Sequence, residues 1–238
     1  MTLLRTLWLV IVAVPVTAFY ATWAVLASWT GLRYAPGNVY DRIMHHWARA
    51  ILRANRVRVA VEGAERLEAG QPYVFIANHT SMVDIWVLLE AIRHSFRFVA
   101  KQELSRVPIL GKAMDSAGNI FIDRGNLTSA FAAYDEAAAR IRQGMSAMVF
   151  AEGTRSRDGR LLPFKKGPFI LAIRSGVPAV PVVITGAFER TPKGSLAVRP
   201  GEVTVRIGTP ISTAGLTHDD RTALSDAVRA AMVDLGAR

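Results

Sequence analysis

The sequence predicts an α/β fold, in which helices flank a mixed sheet, with an N-terminal helical segment that associates with a membrane. Short apolar runs alternate with stretches of helical periodicity or turn residues, which is the pattern of an α/β domain. No charged side chain occurs between Arg5 and Arg33. No long linker rich in Pro, Gly or Ser divides the rest of the chain, so we place a single boundary, between a helical segment at 1–55 and an α/β domain at 56–238.

The apolar N-terminal run is long enough to cross a bilayer. Its 27 residues at 6–32 rise by about 1.5 Å each in a helix, which exceeds a hydrocarbon core of roughly 30 Å and allows for tilt. A secretory signal peptide is the alternative, but its apolar run is shorter, at about 7 to 15 residues, and ends in a small-residue cleavage site. Pro15 leaves open both a single kinked span and a shallow re-entrant pair of helices.

Arginines dominate the residues that follow this run, whereas Arg5 stands alone before it. They are Arg33, Arg42, Arg49, Arg53, Arg56 and Arg58, opposed only by Asp41. The positive-inside bias then predicts that the rest of the chain lies on the cytoplasmic side of the inner (plasma) membrane. Apolar residues at helical spacing predict an amphipathic helix at 39–53, which either lies on anionic headgroups or packs on the domain.

Strand-like and helix-like segments then alternate to the end of the chain. The predicted strands are 57–61, 73–77, 96–100, 119–122, 147–150, 179–184 and 203–207. The predicted helices are 83–93, 127–143, 168–175 and 218–235, the last with Thr217 as its N-cap.

The charge and cysteine content narrow the classes of partner. Lysine and arginine number 29 against 19 acidic residues, a formal net charge of +10, which indicates an anionic partner. The apolar run favours membrane lipid over nucleic acid, so we expect no nucleic-acid partner. Because the chain has no cysteine, disulfides, thiolate metal sites and a cysteine acyl carrier are excluded.

The most informative stretch is 78–84, which follows the strand-like run 73–77 and contains His79 and Asp84. Five helical steps of about 100° leave these two residues roughly 140° apart, so they cannot share a helical face. If they cooperate, His79 lies in a strand-to-helix turn and Asp84 reaches back from the first helical turn. Asp84 then fixes one imidazole nitrogen and leaves the other free as a general base. The alternative is a loop histidine beside an aspartate that favours the helix dipole.

Cationic side chains are predicted at the ends of two further strands. Arg124 follows the run 119–122, and Glu152, Gly153, Thr154 and Arg155 follow the run 147–150. Open α/β sheets bind ligands outside their strand ends, and guanidinium groups bind phosphate oxygens in bidentate fashion. Lys101 can add a further positive charge. For any one of these cations taken singly, a solvated surface residue is the favoured interpretation.

Several common catalytic motifs are missing. The sequence has no Gly-x-Ser-x-Gly elbow, no His-Glu-x-x-His zinc helix, no Walker phosphate loop and no Gly-x-Gly-x-x-Gly turn. We therefore expect no metal site and no bound cofactor. The remaining histidines, which we expect to be solvated rather than catalytic, are His45, His46, His94 and His218.

The ordered combination of these segments resembles the four sequence blocks of the glycerolipid acyltransferases, in particular the 1-acyl-glycerol-3-phosphate acyltransferase family. The blocks are His79 with Asp84, then Arg124, then Glu152 to Arg155, then the stretch 177–182 with Pro178 and Pro181. The resemblance covers roughly residues 72–209 and includes the stretches 101–104 and 164–167. One departure is visible, because Ala151 stands where the third block usually has proline.

This resemblance implies a role for each matching position. His79 is expected to be the base that takes the proton of the acceptor hydroxyl, with Asp84 orienting it. An acceptor site is expected from Lys101, Arg124, Glu152, Gly153, Thr154 and Arg155, with the cations holding the glycerol phosphate. The two prolines are expected to be structural or to lie on the acyl side, without a chemical role.

The implied reaction moves an acyl group from acyl-CoA or acyl carrier protein to the sn-2 hydroxyl of 1-acyl-glycerol-3-phosphate, which gives phosphatidic acid. The expected partners are a lysophospholipid, the acyl donor and membrane lipids. Other acceptors stay open, namely a lyso-ornithine lipid, another lysophospholipid or glycerol-3-phosphate. Two further alternatives are a non-catalytic protein that docks on anionic lipid or RNA, and a metal-dependent phosphoesterase.

Overall fold

The computed structural model describes residues 2–123, 125 and 127–238, and no side chain is described at 127–131. The predicted α/β fold with a mixed sheet is confirmed, and each predicted strand is present with its ends shifted by at most two residues. The seven strands are β1 (Val57–Glu62), β2 (Val74–Ala77), β3 (Phe96–Lys101), β4 (Ile120–Ile122), β5 (Ser146–Phe150), β6 (Ala179–Thr185) and β7 (Gly201–Ile207).

The strand order is β1-β7-β6-β2-β5-β3-β4. The strands β2 to β6 run parallel to one another, whereas β7 pairs antiparallel with β6 and parallel with β1. The carboxyl ends of the five parallel strands therefore meet at one edge of the sheet. Open α/β sheets bind their ligands at this edge.

Helices cover both faces of the sheet. They are α1 (Thr2–Trp29), α2 (Val39–Ala54), α3 (Val83–Ala91), α4 (Leu110–Ser116), α5 (Leu127–Arg142), α6 (Gly167–Ser175), α7 (Ala187–Arg190) and α8 (Arg221–Asp234). Alternate residues of β2 point to opposite faces, so Phe75 packs with α2 and α3, whereas Ile76 packs with α5, α6 and α8. The short helices α4 and α7 were not predicted from the sequence.

The N-terminal run forms one continuous helix rather than a pair of helices. Pro15 lies inside α1, and within the described residues α1 is the one helix long and apolar enough to cross a membrane. Most of its large apolar side chains are exposed, among them Leu3, Trp8 and Trp23. Because water does not favour such a surface, it suits a lipid environment.

The amphipathic helix α2 packs on the domain, which was one of its two predicted positions. The side chain of Asn38 caps its first turn by accepting a hydrogen bond from the amide of Tyr40 at 3.1 Å. Ala48, Ile51 and Leu52 are buried in the same core cluster as residues of the sheet. Burial of this apolar face joins α1, α2 and α3 into one packed layer.

Candidate active site

The end of β2 is held firmly in the sheet by the residue that precedes His79. The amide side chain of Asn78 donates to the carbonyl of Ile184 at 3.0 Å and accepts from the amide of Ile184 at 2.7 Å. This two-way pairing continues the contact between β2 and β6 by one residue. His79 therefore begins the turn from β2 to α3 at a fixed point.

His79 and Asp84 are in contact across this turn. The Nδ1 atom of His79 lies 2.8 Å from Oδ2 of Asp84, and Asp84 is fully buried in the first turn of α3. The same oxygen accepts from the backbone amides of Thr80 and Ser81, each at 2.8 Å. Three converging donors favour a charged carboxylate, which in turn favours a proton on Nδ1. The Nε2 atom is then the nitrogen without a proton.

The imidazole ring of His79 is also held from one face. It stacks on Phe150, the last residue of β5, with ring centroids 3.8 Å apart and planes 13° apart. Only 17% of the His79 side chain is exposed. Phe150 was not predicted to belong to the site, although its position directly before Ala151 and Glu152 was a usable signal.

Glu152 fixes the backbone of the turn that carries His79. Its Oε1 accepts from the amide of His79 at 2.8 Å, and its Oε2 accepts from the amide of Leu162 at 3.1 Å. The carbonyl of His79 accepts from the amide of Ser156 at 2.8 Å. The segment after β5 thus engages both backbone groups of His79. Glu152, predicted for the acceptor site, is 1% exposed and already uses both carboxyl oxygens.

The carboxyl group of Glu152 has an unusual protonation equilibrium. Burial raises its pKa to about 7, against the lowering effect of the hydrogen bonds from the amides of His79 and Leu162. The nearby Asp84 carboxylate also raises it. The carboxyl group that binds the amide of His79 therefore titrates near neutral pH.

The turn after β5 is shaped by Gly153 and held by a lysine from another segment. Gly153 has a φ of +67°, a conformation that glycine adopts without strain. The Nζ atom of Lys193 donates to the hydroxyl of Thr154 at 3.1 Å and to the carbonyl of Arg155 at 2.8 Å. Lys193 lies in the loop after α7, and nothing in the local sequence pointed to this contact.

Two of the predicted cations lie at the same edge of the sheet as His79. The side chain of Arg155 is half-buried, and within the described part of the chain its guanidinium has no hydrogen bond or ion pair. Lys101 ends β3, is mostly exposed, and forms an ion pair with Glu103 at 2.7 Å. The amide of Ser156, the residue after Arg155, donates to the carbonyl of His79 at 2.8 Å, so Arg155 lies next to the turn that carries His79. Arg124 lies outside the described residues.

The backbones of Pro178 and Pro181 pair within the sheet. The carbonyl of Pro178 accepts from the amide of Val74, and that of Pro181 accepts from the amide of Gly208. Among the described residues, no group of three His, Cys, Asp or Glu side chains is arranged to hold a metal ion.

The prediction that the other histidines are solvated is wrong for His45 and His94. The Nδ1 atom of His45 lies 3.0 Å from the carbonyl of Leu89, and the ring of His94 packs against Tyr73 at 5.3 Å. Burial lowers the pKa of both imidazoles. They lie near the amino ends of the parallel strands, which explains why neither approaches His79.

Comparison with known proteins places this chain among acyltransferases. The sequence profile described as Acyltransferase matches residues 58–185. The chain is 38% identical over 181 residues to 1-acyl-sn-glycerol-3-phosphate acyltransferase alpha of Mus musculus, which covers 75% of this chain and 64% of the mouse protein. It is 34% identical over 210 residues to 1-acyl-sn-glycerol-3-phosphate acyltransferase of Limnanthes douglasii, covering 88% and 73% of the two chains.

A solved structure has the same fold over its whole length. The chain is similar to the crystal structure of the 1-acyl-sn-glycerophosphate (LPA) acyltransferase, PlsC, from Thermotoga maritima, with a TM-score of 0.79 and 27% identity. The match covers 100% of this chain and 97% of the other. By contrast, the chain spans less than two thirds of the length of the mammalian relatives, 64% for mouse and 63% for human.

Proposed function

The chain belongs to the acyltransferase family that includes the 1-acyl-sn-glycerol-3-phosphate acyltransferases, and on this premise we propose that it acylates the sn-2 hydroxyl of 1-acyl-glycerol-3-phosphate. The product is phosphatidic acid. The observation that carries this proposal is the contact of 2.8 Å between His79 and Asp84, close to Arg155, whose guanidinium has no hydrogen bond or ion pair among the described residues. We infer the identity of the acceptor from the names of the similar proteins.

In the proposed reaction His79 is the general base. Its Nδ1 donates to Asp84, and its Nε2 removes the proton of the acceptor hydroxyl as the hydroxyl oxygen attacks the thioester carbonyl. A carbon–oxygen bond forms, the carbon–sulfur bond breaks, and His79 passes the proton to the departing thiolate. General-base assistance contributes typically about 10² to 10⁴ in rate, and the thioester is already reactive.

The acceptor is held by charge. Its phosphate carries negative charge at neutral pH, and Arg155 offers a planar pair of donors with no competing partner in the described residues. Lys101 adds a second positive charge, and we assign Arg124 to the same role on its sequence block alone. Fixing the phosphate also fixes the hydroxyl relative to His79, and such positioning supplies much of the acceleration in a two-substrate transfer.

The donor is acyl-CoA or acyl carrier protein, acting as co-substrate rather than as a bound cofactor. The reaction needs only proton transfer and positioning, so no metal or other cofactor is assigned. We place α1 in the membrane and the catalytic edge on its cytoplasmic side, because arginines follow the apolar helix.

The decisive experiment compares the wild-type protein with His79→Ala. We expect turnover to fall more than about a hundredfold, because the base is removed, while binding of the lysolipid changes little. Turnover is measured in detergent with one acyl donor and a panel of acceptors, namely 1-acyl-glycerol-3-phosphate, another lysophospholipid, a lyso-ornithine lipid and glycerol-3-phosphate.

Two results would contradict the proposal. Retention of more than about a hundredth of the wild-type turnover would remove His79 from the base role. Preference for another acceptor over 1-acyl-glycerol-3-phosphate would leave the proposed acyl transfer standing but would contradict the proposed acceptor.

A further inference from the structure

Two cavities adjoin each other far from His79. The first is an apolar groove of about 580 Å³ between α1 and α2, lined in part by Phe19, Trp23 and Ile43. The second, of about 850 Å³, lies between α2 and the start of β3, and His94 is among its lining residues. Both volumes lie within the range of about 300 to 1,000 Å³ that small-molecule sites occupy.

The two cavities share an arginine and a histidine. Arg42 and His46, one turn apart on α2, line both of them. Both side chains are exposed, and within the described part of the chain the Arg42 guanidinium has no hydrogen bond or ion pair. The apolar groove thus ends at a positive charge, where the second cavity begins.

The acidic groups nearby do not cancel this charge. Asp41 is held by the buried guanidinium of Arg97 at 2.6 Å, and Glu90 is held by Arg49 at 2.9 Å. Each carboxylate is therefore already paired with a cation. Arg42 adds a charge that these pairs leave uncompensated, so the junction of the two cavities carries net positive charge.

The position of these cavities separates them from the catalytic edge. The second cavity is lined by Ser95 and Phe96, where β3 begins, and by Gly144, just before β5 begins. His79 and Lys101 lie at the opposite ends of the parallel strands. A ligand in these cavities is consequently not the acceptor in its reacting position.

We propose that the groove and the cavity together bind one intact anionic phospholipid, with an acyl chain between α1 and α2 and the phosphate at Arg42 and His46. An anionic headgroup fits the uncompensated charge, and an acyl chain fits an apolar groove that is continuous with the exposed apolar surface of α1. A free phosphate has no acyl chain to occupy the groove, so it fits the two cavities less well than a phospholipid. This lipid joins the membrane helix to the domain at a point remote from the chemistry.

The test measures lipid retained on the detergent-solubilised full chain by native mass spectrometry, with phosphatidylglycerol as the probe and no acyl donor present. We expect the double variant Arg42→Gln, His46→Gln to retain phosphatidylglycerol about tenfold more weakly than the wild type, because it removes the positive charge and the imidazole that face the anionic headgroup. The matched control is Arg53→Gln, which removes a charge from the same helix about 16 Å away and outside both cavities. This control is expected to bind as the wild type does.

A second pair of variants tests the acyl chain. Trp23→Gln removes an exposed wall of the groove, whereas Trp29→Gln removes a more exposed tryptophan of α1 that does not line it. We expect weaker retention only for Trp23→Gln. Neither side chain is buried in the core, so both variants are expected to fold, which circular dichroism checks.

Several outcomes would overturn the proposal. Equal retention by the double variant and Arg53→Gln would show that Arg42 and His46 hold no headgroup. Phosphatidylcholine bound as tightly as phosphatidylglycerol would remove the charge requirement, and full displacement by inorganic phosphate would indicate a phosphate site without an acyl chain. Loss of binding in Arg155→Met would place the lipid at the catalytic edge instead. None of these readouts depends on turnover, so the proposed acylation is tested separately.

Discussion

The catalytic turn (78–84) and the cation rim (Lys101 and Arg155) lie at the same edge of the sheet but are held in very different ways. In the catalytic turn, Asp84 is fully buried and each backbone group of His79 has a partner. In the rim, Lys101 is exposed and bound only to an exposed glutamate, and Arg155 has no side-chain partner in the described residues. A base must be positioned within a fraction of an ångström, whereas a charge attracts an anion over several ångströms.

This difference predicts that substitutions in the turn lower turnover and that substitutions in the rim raise the KM of the acceptor. Asp84→Asn is expected to have the largest effect of those considered next. The amide cannot hold the His79 tautomer as a carboxylate does, so we expect kcat to fall about a thousandfold. Steady-state kinetics with a fixed donor measures this change, with thermal unfolding as the check that the variant folds. Retention of a tenth of the wild-type kcat would contradict a fixed base.

Glu152→Gln tests whether the carboxylate of Glu152 positions the turn that carries His79. An amide can accept from the amide of His79 or that of Leu162 with its one oxygen, so one of the two donors loses its partner. We expect kcat to fall about 10- to 100-fold, consistent with an unsatisfied buried donor, while the KM of the acceptor stays within about threefold. A rise in that KM without loss of kcat would instead place Glu152 in the acceptor site.

Glu152→Gln is also expected to change how the stability of the protein depends on pH. The pKa of Glu152 is about 7 in the folded chain and ordinarily 4.5, so the folded state retains a proton that the unfolded state has lost between these values. Stability from this group therefore falls as the pH rises from 4.5 to about 7. Glu152→Gln is expected to flatten the fall in Tm over this range, and an unchanged pH profile of Tm would contradict the raised pKa.

Arg155→Met tests the rim. We expect the acceptor KM to rise about tenfold and the donor KM to change little, because a charge-assisted hydrogen bond to phosphate contributes roughly 1.5 to 3 kcal/mol. Arg157→Met, an exposed arginine two residues later, is the control and should leave both constants unchanged. Equal increases in the donor and acceptor KM would argue against a phosphate contact.

Lys101→Met is expected to have the smallest effect. The lysine is more than half exposed and already paired with Glu103, so water and salt screen its attraction for the acceptor. We expect the acceptor KM to rise about twofold to threefold at low salt and to match the wild type at high salt. A tenfold loss that persists in high salt would show that Lys101 contacts the phosphate directly.

The strands and the His79–Asp84 contact were predictable because both are local. Each strand is a short apolar run between turn signals, and the two site residues are five positions apart, so one turn from β2 to α3 brings them together. The helix α4 was missed because its seven residues, Leu110–Ser116, are too few for a clear helical period. The arginine-rich face of α2 likewise fitted two positions, and only packing against α1 and α3 selected one.

The sequence by itself determined the α/β class, the apolar N-terminal helix and the residues that carry the proposed chemistry, because these depend on residue type and short spacing. Only the tertiary structure decided how those residues are supported. Glu152 reaches the amide of His79 across 73 positions, Phe150 stacks on its ring, and Lys193 binds the turn after β5. These contacts require β5 to lie beside β2, and the order of strands in a sheet follows from long-range packing that no local pattern encodes.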